Sequence, residues 1–401
     1  MSGKEINNVV YGDFLNVDYL PQEDLYVYQR GPAKYRLNII GAGMIGQEHL
    51  KVTLLEGRAE IYGIYDTSDY SIRKFRQVYS TLVPDGDLKV YDSLTDACND
   101  PAVDGLIICT PNYTHIDVVR EAVKSGKHIL LEKPMVTRME DAYELLDLTR
   151  DYPAVFQVGL QYRYKAIYAE ARKEVLERKA IGDLKTITIV EHRLPFLDKI
   201  HQWNKFSKYS GGTLVEKCCH YFDLFNLFAQ SRPKEVYAVG SQAVNFTDFE
   251  YHGEKSDILD NAFVTVTYEN GVRCSFNLCM FSPQFFEEIT LCGDEGRLRA
   301  SENLDYLTSS EAKTHFELLC ADHRPSVISS PCYPKTIQNS GHYGGTFFEH
   351  RYFIDNMEGI PTDTASVEEG FWSIVVGAAA ERSVHTGQIV KIDELLAEVQ
   401  R

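Results

Sequence analysis

The segment Gly41-Ala42-Gly43-Met44-Ile45-Gly46 constrains this chain more than any other. The apolar run Leu37-Asn38-Ile39-Ile40 leads into it, and a helical pattern from Met44 to about Leu55 leads out. A glycine triplet alone arises by chance. Between a buried strand and a helix it has a definite use. The first glycine permits a tight turn, the second lets phosphates approach the backbone, and the third allows close helix–strand packing. The helix start at Met44 and Ile45 offers free N–H groups and the positive end of a dipole. Asp66 closes the next strand-like run about 20 residues further on. The spacing predicts a dinucleotide site made by Gly41, Gly43, Met44, Ile45, Gly46 and Asp66. A carboxylate at Asp66 accepts hydrogen bonds from ribose hydroxyls and repels a 2′-phosphate, so NAD is expected over NADP. Arg73 reads as part of a solvated helix face, although it could soften that preference.

Residues 1–34 are polar and tyrosine-rich without a clear period, and read as an extension that packs on a domain or a partner subunit. From Tyr35 apolar runs alternate with helical patterns: strands over 37–40, 60–65, 105–109, 128–131 and 154–158, with helices between. Such alternation implies a parallel sheet covered on both faces. Beyond Gly159 the order changes to a helix over 164–178, a strand over 184–191 and a helix over about 214–228. Strands over 235–239, 262–268, 272–278 and 286–292 follow, with Asn270-Gly271 as a hairpin turn. Residues 303–345 read mostly as loop and short strand, and two helices, over 347–357 and 367–385, close the chain. The expected fold class is α/β: an N-terminal Rossmann parallel sheet (35–158) plus a C-terminal α+β domain (159–401) with an open, mainly antiparallel sheet.

The 401 residues, 44% hydrophobic and 25% charged, supply two ordinary cores. A net charge of -17 repels polyanions over most of the surface. This argues against nucleic acid or an acidic membrane as partner, but leaves room for a small anion in a local positive pocket. No basic segment followed by an apolar stretch opens the chain. No apolar run approaches the roughly 18–20 residues of a spanning helix, and a cytoplasmic protein is expected. The nine cysteines show no repeated CxxC pairs. Adjacent Cys218 and Cys219 suit neither a relaxed disulfide nor a metal knuckle, so reduced thiols are expected. No His/Cys/carboxylate spacing suggests a metal, and no GxSxG or Walker loop is present.

Three further segments stand out: Cys109-Thr110-Pro111-Asn112-Tyr113-Thr114-His115, Glu132-Lys133-Pro134, and the run from Gly211 to Asp223 that contains Glu216-Lys217-Cys218-Cys219-His220. With the glycine loop, and with Ala379-Ala380-Glu381-Arg382-Ser383 before Gly387, they resemble the glucose-fructose oxidoreductase / inositol dehydrogenase (Gfo/Idh/MocA) family over about 35–390. The resemblance implies an NAD-dependent oxidoreductase that transfers a hydride between nicotinamide and a secondary alcohol carbon of a sugar, polyol or sugar derivative. It places Thr110, Pro111, Asn112, His115, Glu132 and Lys133 at the cofactor, on the edge where open parallel sheets bind ligands. Lys133 would orient the reacting oxygen and offset its charge, with Pro134 fixing it through a cis bond. His220 is the candidate general acid/base.

Glu216, four residues before His220, shares its face on a continuous helix. The family usually has aspartate there, so whether Glu216 contacts substrate or orients His220 stays open, and Asp223 is the alternative orienter. Arg163 is a substrate ligand or a domain-linking ion pair. Trp203 is a sugar platform or a loop anchor. His342, in the lid-like Gly341-His342-Tyr343-Gly344-Gly345, is a substrate contact or an ordinary loop residue. The family generally associates through the C-terminal sheet, which implies a homodimer or homotetramer. Two other readings remain: an enzyme that holds NAD tightly and transiently oxidises a glycoside for elimination or hydrolysis, and a non-catalytic NAD-binding sensor. The intact Lys133 and His220 argue against the sensor. The substrate and the direction of reaction are not named by the sequence.

Overall fold

A computed structural model describes residues 33–305, 311–321 and 325–400. All but the last two residues of the expected extension, 1–34, lie outside the described residues. Strands β1 (Tyr35–Ile40), β2 (Ala59–Tyr65), β3 (Lys89–Val90), β4 (Gly105–Ile108), β5 (His128–Glu132) and β6 (Phe156–Gly159) form a parallel six-stranded sheet in the order β3-β2-β1-β4-β5-β6. β4 is buried along its whole length and β1 from Leu37 onward, as strands covered on both faces must be. The order reverses between β1 and β4, which opens a crevice beyond their carboxyl ends. The two-residue β3 and the helix Leu94–Asn99 are too short to carry a periodic signal and are additions to the sequence reading.

The second sheet has nine strands in the order β16-β15-β14-β13-β7-β12-β11-β8-β17. These are β7 (Leu184–His192), β8 (Pro233–Ser241), β11 (Asn261–Tyr268), β12 (Arg273–Cys279), β13 (Gln284–Gly293), β14 (Gly296–Asp305), β15 (Lys313–Cys320), β16 (Val327–Ser329) and β17 (Val390–Lys391). β9 (Glu250–Tyr251) and β10 (Glu254–Lys255) make a separate small hairpin. Only β7 and β12 pair in parallel, so the sheet is mainly antiparallel as expected. Its inner face buries Ile189, Phe276 and Ile289 with the helices Cys219–Ala229 and Val367–Thr386. Its outer face leaves Tyr237, Val239 and Phe263 exposed, with Phe263 directly opposite Val239.

Several boundaries differ from the sequence reading. Residues 303–345 were expected to be mostly loop and short strand; the three-residue β16 fits that, whereas the eight-residue β15 is a full strand and the end of β14 reaches into the segment. β14, GRLRASENLD, is rich in charged residues, and Glu302 is buried within it, which hides the apolar alternation. The helix expected over 164–178 is a 3₁₀ turn (Gln161–Tyr164), a helix (Ala166–Arg172) and a wider π turn (Lys173–Glu177). The helix expected over 214–228 is two, Thr213–Glu216 and Cys219–Ala229, broken at Lys217 and Cys218. A third helix, Ile392–Val399, follows the two expected at the end.

The chain crosses back between its halves. Phe353 and Ile354 of the helix Gly345–Met357 share a core with Leu37, Ile39 and Leu50. The helix Val367–Thr386 packs both on Cys219–Ala229 and on Met139–Thr149. Among the described residues no helix is long and apolar enough to cross a membrane.

Candidate active site

The glycine loop has the geometry its residue types require. Gly41 has φ 107°, and a Cβ there would lie 2.6 Å from the carbonyl carbon of Cys109. Gly43 faces open space, while a Cβ at Gly46 would collide with the Gly41 carbonyl. The helix Met44–Glu56 starts with no side-chain cap and no acidic residue in its first turn, so its N–H groups remain available to an anion. Asp66, just past β2, accepts from the N–H of Ala42 at 2.7 Å and of Ser68 at 2.7 Å, which fixes its carboxylate beside the loop. The amide nitrogen of Asn112, at the end of β4, is buried without a partner. These groups fit a dinucleotide.

Lys133 follows β5 through a cis Lys133–Pro134 bond. Its ammonium donates to the carbonyl of Glu216 at 3.2 Å, where the second domain's broken helix leads toward His220. Residues from the two domains therefore meet at one edge of the parallel sheet. Burial, the strongest influence on Lys133, works against its charge, but Glu216, Cys219 and Glu132 outweigh it and hold the pKa above the usual lysine value. His220 responds the other way. Burial, and then the charges of Lys133 and Lys217, push it well below the usual histidine value. The imidazole is neutral, and its Nδ1 has no hydrogen-bond partner.

Neither of the proposed orienters bonds to His220. Asp223 takes a two-pronged bond from Arg163 at 2.8 and 2.6 Å. Glu216 has one carboxylate oxygen buried without a partner. The ring of His220 is instead stacked on Tyr162, with centroids 3.9 Å apart and planes 8° from parallel. Tyr162 is fixed in turn by Lys217, which donates to its hydroxyl at 2.8 Å and pairs with Glu191 at 3.0 Å. The sequence assigns no role to Tyr162 or Lys217, because nothing local connects them.

The other expected site residues are placed as follows. Arg163 is buried between Asp223 and Glu369, which matches the domain-linking alternative and leaves its fork committed. Both ring nitrogens of His115 face backbone carbonyls, of Pro134 at 2.9 Å and Thr110 at 3.0 Å, so the ring braces the two strand-end motifs and has no ring nitrogen left to hydrogen-bond a nucleotide. Glu132 is likewise engaged: it accepts from Lys133 N–H at 3.0 Å and meets His49 Nε2 at 2.9 Å. Trp203 is buried with its ring edge toward Tyr113, 6.3 Å between centroids. His342 pairs with Glu48 at 2.7 Å and lies 6.0 Å from the Tyr162 ring. Burial opposes the Glu48 charge, yet His342 and Thr346 bring its pKa down to about 2.

The fold also gathers three groups of metal-ligand type that no sequence spacing connects: His49, Glu132 and Glu349, with ligand atoms within 4.8 Å of one another. Hydrogen bonds account for two of them, since His49 bridges Glu132 and His350, the latter at 2.7 Å. Glu349 has no hydrogen-bond partner on either oxygen, and burial with Glu132 beside it raises its pKa far above the carboxylate range, so it is held as a neutral acid.

Comparisons with known proteins place the chain in a family. The model of an oxidoreductase family's NAD-binding Rossmann fold (Gfo/Idh/MocA) matches residues 35–160, and that of the family's C-terminal alpha/beta domain matches residues 173–392. A myo-inositol 2-dehydrogenase from Thermotoga maritima is 24% identical, covering 90% of this chain and 99% of its own. A 1,5-anhydro-D-fructose reductase from Ensifer adhaerens is 23% identical over 89% of this chain and 98% of its own. A levoglucosan dehydrogenase, solved with NADH and levoglucosan, shares the fold with TM-score 0.73 at 17% identity, covering 89% and 99% of the two chains.

Proposed function

Because the chain belongs to the Gfo/Idh/MocA oxidoreductase family, whose N-terminal domain binds NAD, we propose that it transfers a hydride to or from a secondary alcohol carbon of a sugar, polyol or sugar derivative, with Lys133 and His220 as the catalytic pair. The observation that carries this is the charged lysine and the neutral histidine brought to one sheet edge from different domains. Relatives that act as a myo-inositol 2-dehydrogenase and a 1,5-anhydro-D-fructose reductase support the substrate class.

Bound NAD supplies the hydride acceptor. Gly43 and the uncapped helix start hold its pyrophosphate, and Asp66 receives its ribose hydroxyls. Lys133 donates a hydrogen bond to the substrate oxygen, orients it and offsets charge as the O–H bond breaks. Neutral His220 takes the hydroxyl proton as the hydride leaves carbon, giving ketone, NADH and a proton. Burial excludes water and keeps His220 in its accepting form. Glu216, Trp203 and His342 line the substrate side. The outer face of the second sheet, with Phe263 and Val239, joins copies of the chain into a homodimer or homotetramer.

The test is a panel of polyols and sugars with NAD, read as NADH absorbance, with direct NAD binding measured alongside. Lys133→Ala and His220→Ala should leave NAD affinity nearly unchanged. Turnover should fall about 10²- to 10⁴-fold for His220 and at least as far for Lys133. Full activity in either variant would refute the assignment.

A further inference from the structure

Three buried side chains of metal-ligand type meet next to the proposed catalytic lysine, outside the hydride and proton steps. His49 comes from the helix Met44–Glu56, Glu132 from the end of β5 and Glu349 from the helix Gly345–Met357. One ligand atom of each lies within 4.8 Å of the other two. His49 and Glu349 are fully enclosed, and Glu132 keeps 5% of its surface exposed. Both carboxylate oxygens of Glu349 lack a hydrogen-bond partner among the described residues. In native proteins such an orphaned buried group marks a partner of another kind, a water or an ion.

The groups around them fix the three side chains as a ligand set is fixed. His49 Nδ1 meets His350 Nε2 at 2.7 Å, and His350 Nδ1 meets Thr53 Oγ1 at 3.3 Å, so the far side of the His49 ring is held while Nε2 points at Glu132. Glu132 places Oε1 at 2.9 Å from that nitrogen and keeps Oε2 on the Lys133 N–H at 3.0 Å. The Glu349 backbone is tied to β6 by Gln157, which donates to its carbonyl at 3.1 Å. Two residues along β6, Gly159 has no side chain. A Cβ there would stand 3.3 Å from Glu349 Oε1 and from the Glu132 carboxyl carbon, so the glycine leaves the space beside both carboxylates clear.

Charge and spacing point the same way. Glu132 has His49, Lys133 and His342 to offset its charge. The charges acting on Glu349, those of Glu132 and Glu48, are both negative, so it has no counter-ion and keeps its proton. A divalent cation displaces that proton and balances the two carboxylates while the imidazole stays neutral. Atoms bound to one zinc ion, each about 2.0–2.2 Å from it, stand about 3–4 Å apart, so small side-chain shifts close this cluster around an ion. One imidazole with two carboxylates and no thiolate suits zinc, with manganese next. Zinc on Nε2 requires the proton on Nδ1, and His350 Nε2 stands in place to accept it.

We propose that His49 Nε2, Glu132 Oε1 and a Glu349 oxygen hold one divalent metal ion, zinc by best fit, which clamps the nucleotide-side helix, the strand that carries Lys133 and the helix that returns from the second domain. Three protein ligands leave one position of a tetrahedral site for water. The clamp is structural and stands independently of the dehydrogenase reading.

The test uses the full chain, produced in zinc-supplemented cells and purified without a metal-affinity step. Metal content is measured before and after prolonged incubation with a chelator, and the stripped protein is titrated with zinc and with manganese. About one zinc per chain should bind, with release of about one proton, and the unfolding temperature should rise by several degrees. Cobalt(II) in its place should give a visible d–d band without sulfur charge transfer. Glu349→Gln keeps the shape of the neutral acid but cannot ionise. It should match the stripped wild type in stability, bind zinc at least about tenfold more weakly, and gain no stability from it. Wild-type protein that takes up neither zinc nor manganese stoichiometrically would overturn the proposal, leaving a water or a proton shared between Glu132 and Glu349. So would zinc binding undiminished in Glu349→Gln, or a cobalt spectrum with sulfur charge transfer, either of which would put the metal elsewhere. A Glu349→Gln variant whose stability differs from wild type equally with zinc and with chelator would also overturn it.

Discussion

Glu381 offers a quantitative check on how the second domain holds its half of the site. Its carboxyl accepts the Leu214 N–H at 2.8 Å, at the start of the short helix Thr213–Glu216 that ends on the carbonyl bonded by Lys133. Glu381 also fills the space beside Gly212, where any side chain would collide with it. Burial, partly countered by the Leu214 bond, raises the Glu381 pKa from its ordinary 4.5 to about 7. Below about pH 4.5 the carboxyl is protonated folded and unfolded, and its contribution is fully present. As the pH rises through 7 the unfolded chain has already ionised while the folded chain resists, so stability is lost. The displacement from 4.5 to about 7 corresponds to at most about 3 kcal/mol, an upper bound because part of the side chain keeps solvent contact. Glu381→Gln cannot ionise and keeps the carbonyl acceptor. Urea unfolding of both proteins at pH 5, 6, 7 and 8 isolates this group, because other titrations cancel in the difference. The variant should match the wild type near pH 5 and exceed it by up to about 3 kcal/mol at pH 8. A difference that stays flat, or that favours the wild type increasingly as pH rises, would show that Glu381 works ionised as an anionic helix cap, and would refute the reasoning.

Glu216→Gln separates a pocket carboxylate from a structural one: turnover or substrate affinity should drop clearly while NAD binding holds, and unchanged kinetics would restrict Glu216 to its backbone role. Asp66→Ala should narrow the preference for NAD over NADP, chiefly through tighter NADP binding, as measured by direct titration of each cofactor. Wild-type protein that binds NADP as well as NAD would contradict the assigned role of Asp66. Light scattering at micromolar concentration should give a dimer or tetramer, and introducing a charge with Phe263→Asp should shift it toward monomer.

What was legible in the sequence follows from how local each requirement is. The turn at Gly41, the open approach at Gly43 and the close packing at Gly46 all arise within one strand–helix junction, so the residue types report them directly. The hairpin at Asn270-Gly271 was legible for the same reason, since Gly271 adopts φ 88° between β11 and β12. β14 was not, because a strand that buries Glu302 and Ser301 beside Leu298 and Ala300 does not show the alternation that marks a half-buried strand. The break at Lys217 and Cys218 escaped because the sequence there is compatible with one continuous helix. Tertiary demands separate the two pieces: Lys217 turns inward to Glu191 and Tyr162, while the Glu216 carbonyl is left for Lys133.

The site residues that escaped are those whose partners are remote. His49 meets Glu132 across 83 positions and His350 across 301, and no spacing rule reaches that far. Yet these contacts govern the chemistry of residues that were legible. Glu132 stays ionised in a buried position because His49 supports it, and its second oxygen takes the Lys133 N–H. Lys133 then keeps its proton beside Glu132 and Glu216, and its retained charge is the largest influence after burial that keeps His220 neutral. The two proposed catalytic groups are thus not tuned independently. Two basic groups are crowded together, the one supplied with carboxylates holds its proton, and the other is left able to accept one. The sequence names the pair. The division of labour between them is set by the carboxylates that the fold brings to Lys133, Glu132 from the end of β5 and Glu216 from the second domain, while His220 Nδ1 has no hydrogen-bond partner.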